Sequence, residues 1–72
     1  MVYCKTGRGT EVALCFNNDC CENEGGFWVE VYLDEYGDRF DDFCIHTDDC
    51  DCNDRLAVEQ FAIDYVANIF DY

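Results

Sequence analysis

The sequence predicts an α+β fold in which a small antiparallel sheet of about four strands, built from two hairpins, carries one C-terminal helix packed on a face. Apolar and polar residues alternate with a period of two through several segments before residue 47, as they do in half-buried strands. From residue 54 onwards the apolar residues instead recur with the period of an α-helix. The 72 residues are therefore interpreted as one domain, 1–72.

The first hairpin is predicted from two short runs that flank a turn with two glycines. The strands are expected at about 2–5 and 10–16, and Gly7 and Gly9 supply the positive φ values that a tight turn needs. The second strand divides its side chains between two faces. These faces are Val12, Leu14 and Phe16 on one side and Glu11, Ala13 and Cys15 on the other.

The second hairpin joins strands predicted at about 27–33 and 40–46. The first of these strands has the most regular alternation in the chain. Its two faces are Phe27, Val29, Val31 and Leu33 on one side and Trp28, Glu30 and Tyr32 on the other. Phe40 breaks the alternation of the returning strand, which predicts a bulge or a later strand start. Gly37 suits the left-handed position of the connecting loop.

A helix is predicted at about 54–70 because its apolar and polar residues separate at about 100° per residue. The apolar side comprises Val58, Phe61, Ala62, Tyr65, Val66 and Ile69. Leu56, Ile63 and Phe70 widen this arc to about 200°, which is more than the roughly 100° that one sheet face covers. The excess predicts that the helix also contacts an N-terminal segment or a second copy of the chain, as a homodimer.

The charge of the chain restricts its partners. Seventeen acidic residues against four Lys and Arg give a formal net charge of −13. Phosphate binding requires a basic face, so direct binding to nucleic acid or to an anionic membrane is not expected. No apolar run has the length of a signal peptide core or a membrane span, which predicts a cytoplasmic protein. A field of this size and sign suits a partner with a basic surface.

The acids concentrate in one tract, residues 34–54, where Arg39 is the only cation. The partner-binding residues predicted in this tract are Asp34, Glu35, Asp38, Asp41, Asp42, Asp48, Asp49 and Asp51. Alternate side chains on one strand face lie about 6.6 Å apart, and phosphates repeat about every 3.4 Å along one DNA strand. A hairpin followed by a helix start could therefore present carboxylates at a density like that of phosphates. A solvated acidic face is the alternative interpretation.

In its size, its charge and this acidic tract, the chain resembles the small inhibitors that phages and mobile elements use against host defence nucleases. Anti-CRISPR and anti-restriction proteins are of this kind, and several of them imitate DNA. The resemblance implies an inhibitor that occupies the basic nucleic-acid-binding groove of a partner, in the host cytoplasm if the gene is carried by a phage. Those inhibitors share no common fold, so the resemblance assigns no role to individual residues.

Seven cysteines allow three interpretations. Reduced thiols in a cytoplasmic protein serve as small core residues, whereas an oxidising compartment would pair six of them as disulfides. The third interpretation, which is also the alternative function, is a small interaction module stabilised by zinc. Its ligands would come from Cys20, Cys21, Cys44, His46, Cys50 and Cys52. The chain has no Cys-x-x-Cys spacing, so this signal is weak, and the main hypothesis requires no cofactor.

No catalytic function is predicted. His46 is the only histidine, and a nucleophile at Cys44 or Cys50 with His46 as its base is the one pairing the sequence offers. A single histidine at the end of a strand is more often structural than catalytic. The sequence therefore favours a binding protein over an enzyme.

Overall fold

The computed structural model describes residues 2–18, 25–33 and 39–71. These residues form one four-stranded antiparallel sheet and one helix, which confirms the predicted α+β fold. The elements are β1 (Val2–Lys5), β2 (Glu11–Asn17), β3 (Phe27–Leu33), β4 (Arg39–Ile45) and α1 (Arg55–Ile69). The strands lie in the order β1-β2-β3-β4, so each strand pairs with its neighbour in the sequence. The loop position predicted for Gly37 lies outside the described residues.

The core lies between α1 and one face of the sheet. Its fully buried side chains are Val12, Leu14, Val29, Val31 and Ile45 from the strands and Val58, Ala62 and Val66 from the helix. On the strands these positions alternate, and on the helix they recur every fourth residue. The apolar faces predicted from the strand period and from the helix period therefore pack together in a single layer.

Ile69 does not belong to this layer, although the sequence places it on the apolar side of the helix. Its side chain is 59% exposed, and that of Leu56 is 77% exposed. The buried residues Val58, Ala62 and Val66 recur every four residues, so the buried stripe rotates by about 40° around the helix at each step. By the last turn the stripe has moved away from Ile69.

The turn of the first hairpin forms where the sequence predicts it, but the positive φ predicted for both of its glycines is found at Gly9 and not at Gly7. Thr6 N–H donates a hydrogen bond to the Thr10 carbonyl at 2.9 Å, and Gly9 N–H donates to the Thr6 carbonyl at 2.9 Å. Gly9 has a φ of 84°, the left-handed conformation that favours glycine. The Gly7 N–H does not bond within the turn but donates to the Phe70 carbonyl at 3.3 Å. The turn thus contacts the C-terminal end of α1 through the backbone. Leu56 and Ile69 of the wide apolar arc stay exposed, so the contact predicted for the apolar side chains of that arc stays a prediction.

A bulge interrupts the pairing of β3 with β4. Val31 lies opposite Asp41 and Tyr32 lies opposite Arg39, so Phe40 is the extra residue on β4. This confirms the predicted bulge. Arg39 and Asp42, which are three residues apart, would face opposite sides of a regular strand. The extra residue places both on the sheet face that α1 does not cover, called the open face below.

Candidate functional site

Among the residues that the structure describes, ion pairs use three of the four Lys and Arg side chains. Arg8 Nε lies 2.9 Å from Asp71 Oδ1, and Arg55 Nε lies 3.0 Å from Glu59 Oε2. Arg39 Nη1 lies 3.4 Å from Glu30 Oε2. With a formal net charge of −13, most of the acidic side chains therefore have no cation of the chain to neutralise them.

The segment between β4 and α1, residues 46–54, is called the acidic turn. Its carboxylates are Asp48, Asp49, Asp51 and Asp54, all of them exposed. In the part of the chain that the structure describes, none of the four forms an ion pair. The acidic turn is thus a group of uncompensated negative charges at the N-terminal end of the helix.

Backbone hydrogen bonds fix three of these carboxylates in place. Asp49 Oδ2 accepts a hydrogen bond from His46 N–H at 2.9 Å, and Asp51 Oδ1 accepts one from Asn53 N–H at 3.0 Å. Asp54 is the N-cap of α1, where its Oδ1 accepts from Leu56 N–H at 3.1 Å. Each carboxylate uses one oxygen in this way, and its second oxygen forms no hydrogen bond within the described chain. The turn therefore presents acceptor oxygens in a defined arrangement.

The remaining predicted partner-binding residues lie elsewhere. Asp42 is exposed and lies opposite Glu30, on the open face. Asp41 lies opposite Val31, on the helix side of β4, and its Oδ1 accepts from Asp42 N–H at 2.8 Å. These two acids consequently face opposite sides of the sheet. Asp34, Glu35 and Asp38 lie outside the described residues.

Two cysteines of the acidic turn pack against the edge of the core. Cys50 and Cys52 are half-buried, and Cys52 Sγ donates to the His46 carbonyl at 3.7 Å. Burial raises the pKa of the Cys50 thiol, and contact with Cys52 and the nearby Asp49 and Asp51 raise it further. The thiol form of Cys50 is therefore favoured over the thiolate that a metal ion requires.

The predicted zinc ligands are placed in two groups. Cys44 lies opposite Trp28 on the open face, whereas Cys50 and Cys52 pack on the core side of the sheet. Within residues 2–18, 25–33 and 39–71, no group of three or more His, Cys, Asp or Glu side chains is arranged to hold a metal ion. Of the other three predicted ligands, His46 is exposed at the start of the acidic turn, and Cys20 and Cys21 lie outside those ranges. The zinc-stabilised module stays a prediction, and a melting curve measured with and without a chelator tests it.

A shallow apolar groove of about 250 Å³ lies along the outer side of α1. It is lined by Phe61, Asp64, Tyr65, Asn68 and Ile69. The predicted homodimer through the C-terminal helix would use this surface, and it stays a prediction.

The functional interpretation of the sequence missed the open face of the sheet. Trp28, Glu30 and Tyr32 lie on it, and the guanidinium of Arg39 lies 5.6 Å from the centre of the Trp28 ring. The alternation of β3 indicates that its three residues share a face. The position of Arg39 depends on the bulge and on the strand register, which no local pattern specifies.

The fold and its surface define a class: a small α+β protein with an exposed acidic turn and a sheet face that carries aromatic and acidic side chains. No protein-family model matches the chain, and no curated protein or solved structure matches it either. No helix in the described part of the chain is long and apolar enough to cross a membrane.

Proposed function

We propose that this protein is an acidic inhibitor that binds the basic nucleic-acid-binding groove of a partner protein. The observation that carries the proposal is the contrast between the arginines and the acidic turn. Arg8, Arg39 and Arg55 are paired within the chain, while the four exposed aspartates of the turn are in no ion pair with a described residue. The surface thus has charge left to bind cations of another molecule.

The local geometry of the acidic turn supports this proposal. Hydrogen bonds from the N–H groups of His46, Asn53 and Leu56 hold three of its four carboxylates before any partner arrives. A preorganised surface loses less conformational entropy on binding than a mobile acidic tail does. A groove that binds phosphates with Lys and Arg would accept these carboxylates by the same charge complementarity.

The proposed partner class is a nucleic-acid-binding protein, with a host defence nuclease complex as the specific candidate. The inhibitor itself catalyses no reaction, requires no cofactor and binds no nucleic acid directly. It acts in the cytoplasm, where its target would bind nucleic acid. Binding at the groove would exclude the nucleic acid by direct competition.

The test is capture of partners from a bacterial lysate treated with nuclease, followed by elution with excess duplex DNA. Specific proteins that DNA releases from the immobilised chain are expected, because DNA and the acidic turn compete for one groove. Their release should also increase with salt, since exposed charges are screened beyond about 8 to 10 Å at physiological ionic strength. Retained proteins that DNA fails to release would contradict the proposal.

A matched pair of variants separates the contribution of the acidic turn to partner binding from the contribution of net charge. The first variant, D48N/D49N/D51N, removes three charges and keeps side-chain oxygens that accept hydrogen bonds. The control variant, E11Q/D64N/D71N, removes the same number of charges at exposed positions outside the turn. Capture should fall at least about tenfold for the first variant and much less for the second. Equal losses would assign the binding to net charge alone.

A further inference from the structure

The open face of the sheet contains an internal example of arginine recognition. The guanidinium of Arg39 lies over the Trp28 ring, 5.6 Å from its centre. Its Nη1 atom lies 3.4 Å from Glu30 Oε2 and 3.7 Å from Asp42 Oδ2. An aromatic plane and two carboxylates thus surround one guanidinium, and Trp28, Glu30 and Asp42 are called the arginine cradle below.

The register of β3 with β4 builds this cradle. Trp28 and Glu30 are alternate residues of β3 and therefore lie on the same face, about 6.6 Å apart along the strand. Glu30 is paired with Asp42 across the two strands, and the bulge at Phe40 returns Arg39 to that same face. The cradle consequently belongs to the rigid sheet rather than to a loop.

Neighbouring side chains orient the central carboxylate. Asn17 Nδ2 donates to Glu30 Oε1 at 3.0 Å, which leaves Oε2 directed towards the guanidinium. The side chain of Glu30 is only 18% exposed. Burial raises the pKa of the Tyr32 hydroxyl, and the nearby negative charge of Glu30 raises it further. The hydrogen bond from Asn17 therefore helps to hold the Glu30 carboxylate in position.

Arg39 occupies the cradle loosely. The two ion pairs that Arg39 forms with described residues both use the nitrogen Nη1, and both distances exceed the roughly 2.7 to 2.9 Å of a strong bond between guanidinium and carboxylate. Nearly half of the Arg39 side chain, 46%, is exposed to solvent. Exposed pairs of this kind contribute little to stability, so another cation could replace Arg39 at a small cost.

We propose that the arginine cradle binds an arginine side chain of the partner, which displaces Arg39. The inference deepens the proposed function and rests on it for the source of the arginine, because a phosphate-binding groove is rich in such side chains. Arginine is favoured over lysine at this position. Its planar group stacks on an indole ring and presents two parallel N–H donors to carboxylate oxygens, whereas an ammonium group is a compact charge without a flat face.

Trp28 is the only tryptophan of the chain, so its fluorescence reports on the cradle directly. The probes are an acetylated peptide of six arginines and a matched peptide of six lysines. The arginine peptide should change the Trp28 emission in a saturable manner and bind several-fold more tightly than the lysine peptide. Equal affinity of the two peptides would overturn the proposal, because net charge would then explain the binding.

Removing the internal occupant provides the sharper test. Arg39→Gln should tighten binding of the arginine peptide by about three- to tenfold, because the peptide no longer competes with Arg39. Arg8→Gln is the matched control, since it makes the same change in charge at the exposed pair with Asp71. It should alter the affinity less than about twofold. Circular dichroism confirms that both variants are folded, and equal effects of the two would overturn the proposal.

The same variants distinguish failure of the cradle from failure of the proposed function. D48N/D49N/D51N leaves the cradle intact, so the affinity ratio between Arg39→Gln and Arg8→Gln should persist in that background. Loss of this ratio would overturn the proposal that the cradle binds arginine. Capture of a partner that DNA releases tests the inhibitor function separately, because that capture depends on the acidic turn.

Discussion

The rings of Phe43 on β4 and Tyr65 on α1 stack with their centroids 4.2 Å apart and their planes inclined by 19°. Phe70 contacts both rings edge-on, at centroid distances of 5.9 Å to Phe43 and 5.8 Å to Tyr65. The three residues come from an edge strand, the middle of the helix and its C-cap. This aromatic cluster therefore fixes the orientation of α1 on the sheet.

Phe43→Ala is expected to lower the free energy of unfolding by about 3 to 5 kcal/mol, through the lost burial and the cavity left behind. Proteins are stable by only about 0.05 to 0.15 kcal/mol per residue, so this loss is a large part of the total. Urea denaturation measures it. Leu56→Ala is the control, because that side chain is 77% exposed and its removal should change stability by less than about 0.5 kcal/mol. Similar losses for the two variants would show that the cluster does not fix the helix.

The sequence predicts the strands well where the side-chain pattern is regular and local. The predicted segment 27–33 coincides with β3 because its alternation is uninterrupted. The predicted helix is one residue longer at each end than α1, since Asp54 caps the helix and Phe70 has an extended conformation. The contact between Arg8 and Asp71 joins residues 63 positions apart in the sequence. Such contacts depend on the packing of whole elements, which a local pattern does not contain.

The acidic tract illustrates the same limit at the candidate site. Its charge is evident from the sequence, and the grouping of Asp48, Asp49 and Asp51 follows from their proximity in the chain. Asp41 and Asp42 face opposite sides of the sheet because neighbouring residues of β4 alternate between its faces. The bulge determines on which face Arg39 lies. The sequence thus predicts how much charge the tract carries but not on which face of the protein each carboxylate lies.

Asp54 is expected to stabilise the helix as its N-cap, independently of its charge. Asp54→Ala should lower the free energy of unfolding by about 1 kcal/mol, because Leu56 N–H loses its acceptor. Asp54→Asn should retain most of the stability, since asparagine caps about as well as aspartate. Asp48→Ala is the control for removing a charge from the turn without removing a cap. Equal stability of Asp54→Ala and Asp54→Asn, measured by urea denaturation, would argue against the capping role.

Gly7 is expected to be required for contact between the first hairpin and the helix. A Cβ atom at this position would lie 2.8 Å from the Ala67 carbonyl oxygen, which belongs to the backbone and cannot move aside alone. Gly7→Ala should therefore separate the turn from the end of α1 and cost about 1 to 3 kcal/mol. Amide hydrogen exchange should become faster at position 7 of the variant, because the N–H of residue 7 loses its hydrogen bond to the Phe70 carbonyl. Unchanged exchange would contradict this close approach.

Gly9→Ala serves as the comparison for that experiment. A Cβ atom at Gly9 meets no other atom within 4 Å, but the φ of 84° is unfavourable for alanine. The expected cost is about 1 kcal/mol, and it arises from the turn itself. Gly9→Asn should recover part of this cost, because asparagine adopts the left-handed conformation more readily. Exchange at the end of α1 should change less than in Gly7→Ala.

Stability is expected to decrease in alkaline solution because of two thiols. Burial raises the pKa of Cys4 and of Cys50. The folded chain therefore retains these protons at a pH where the unfolded chain has already released them. A raised folded pKa contributes stability that is complete below the unfolded pKa, about 8.5, and that is lost as the pH rises through the folded value. The free energy of unfolding should thus decrease as the pH is raised above about 8.5.

The double variant C4A/C50A identifies the origin of this decrease. Without the two thiols, the free energy of unfolding should depend less steeply on pH between about 8.5 and 10. Tyr32 contributes only at higher pH, because its raised pKa lies above the ordinary tyrosine value of about 10. The measurement is urea denaturation at several pH values, with a reductant present to keep every cysteine as a thiol. An identical pH dependence in the double variant would mean that groups other than these two thiols cause the decrease in stability.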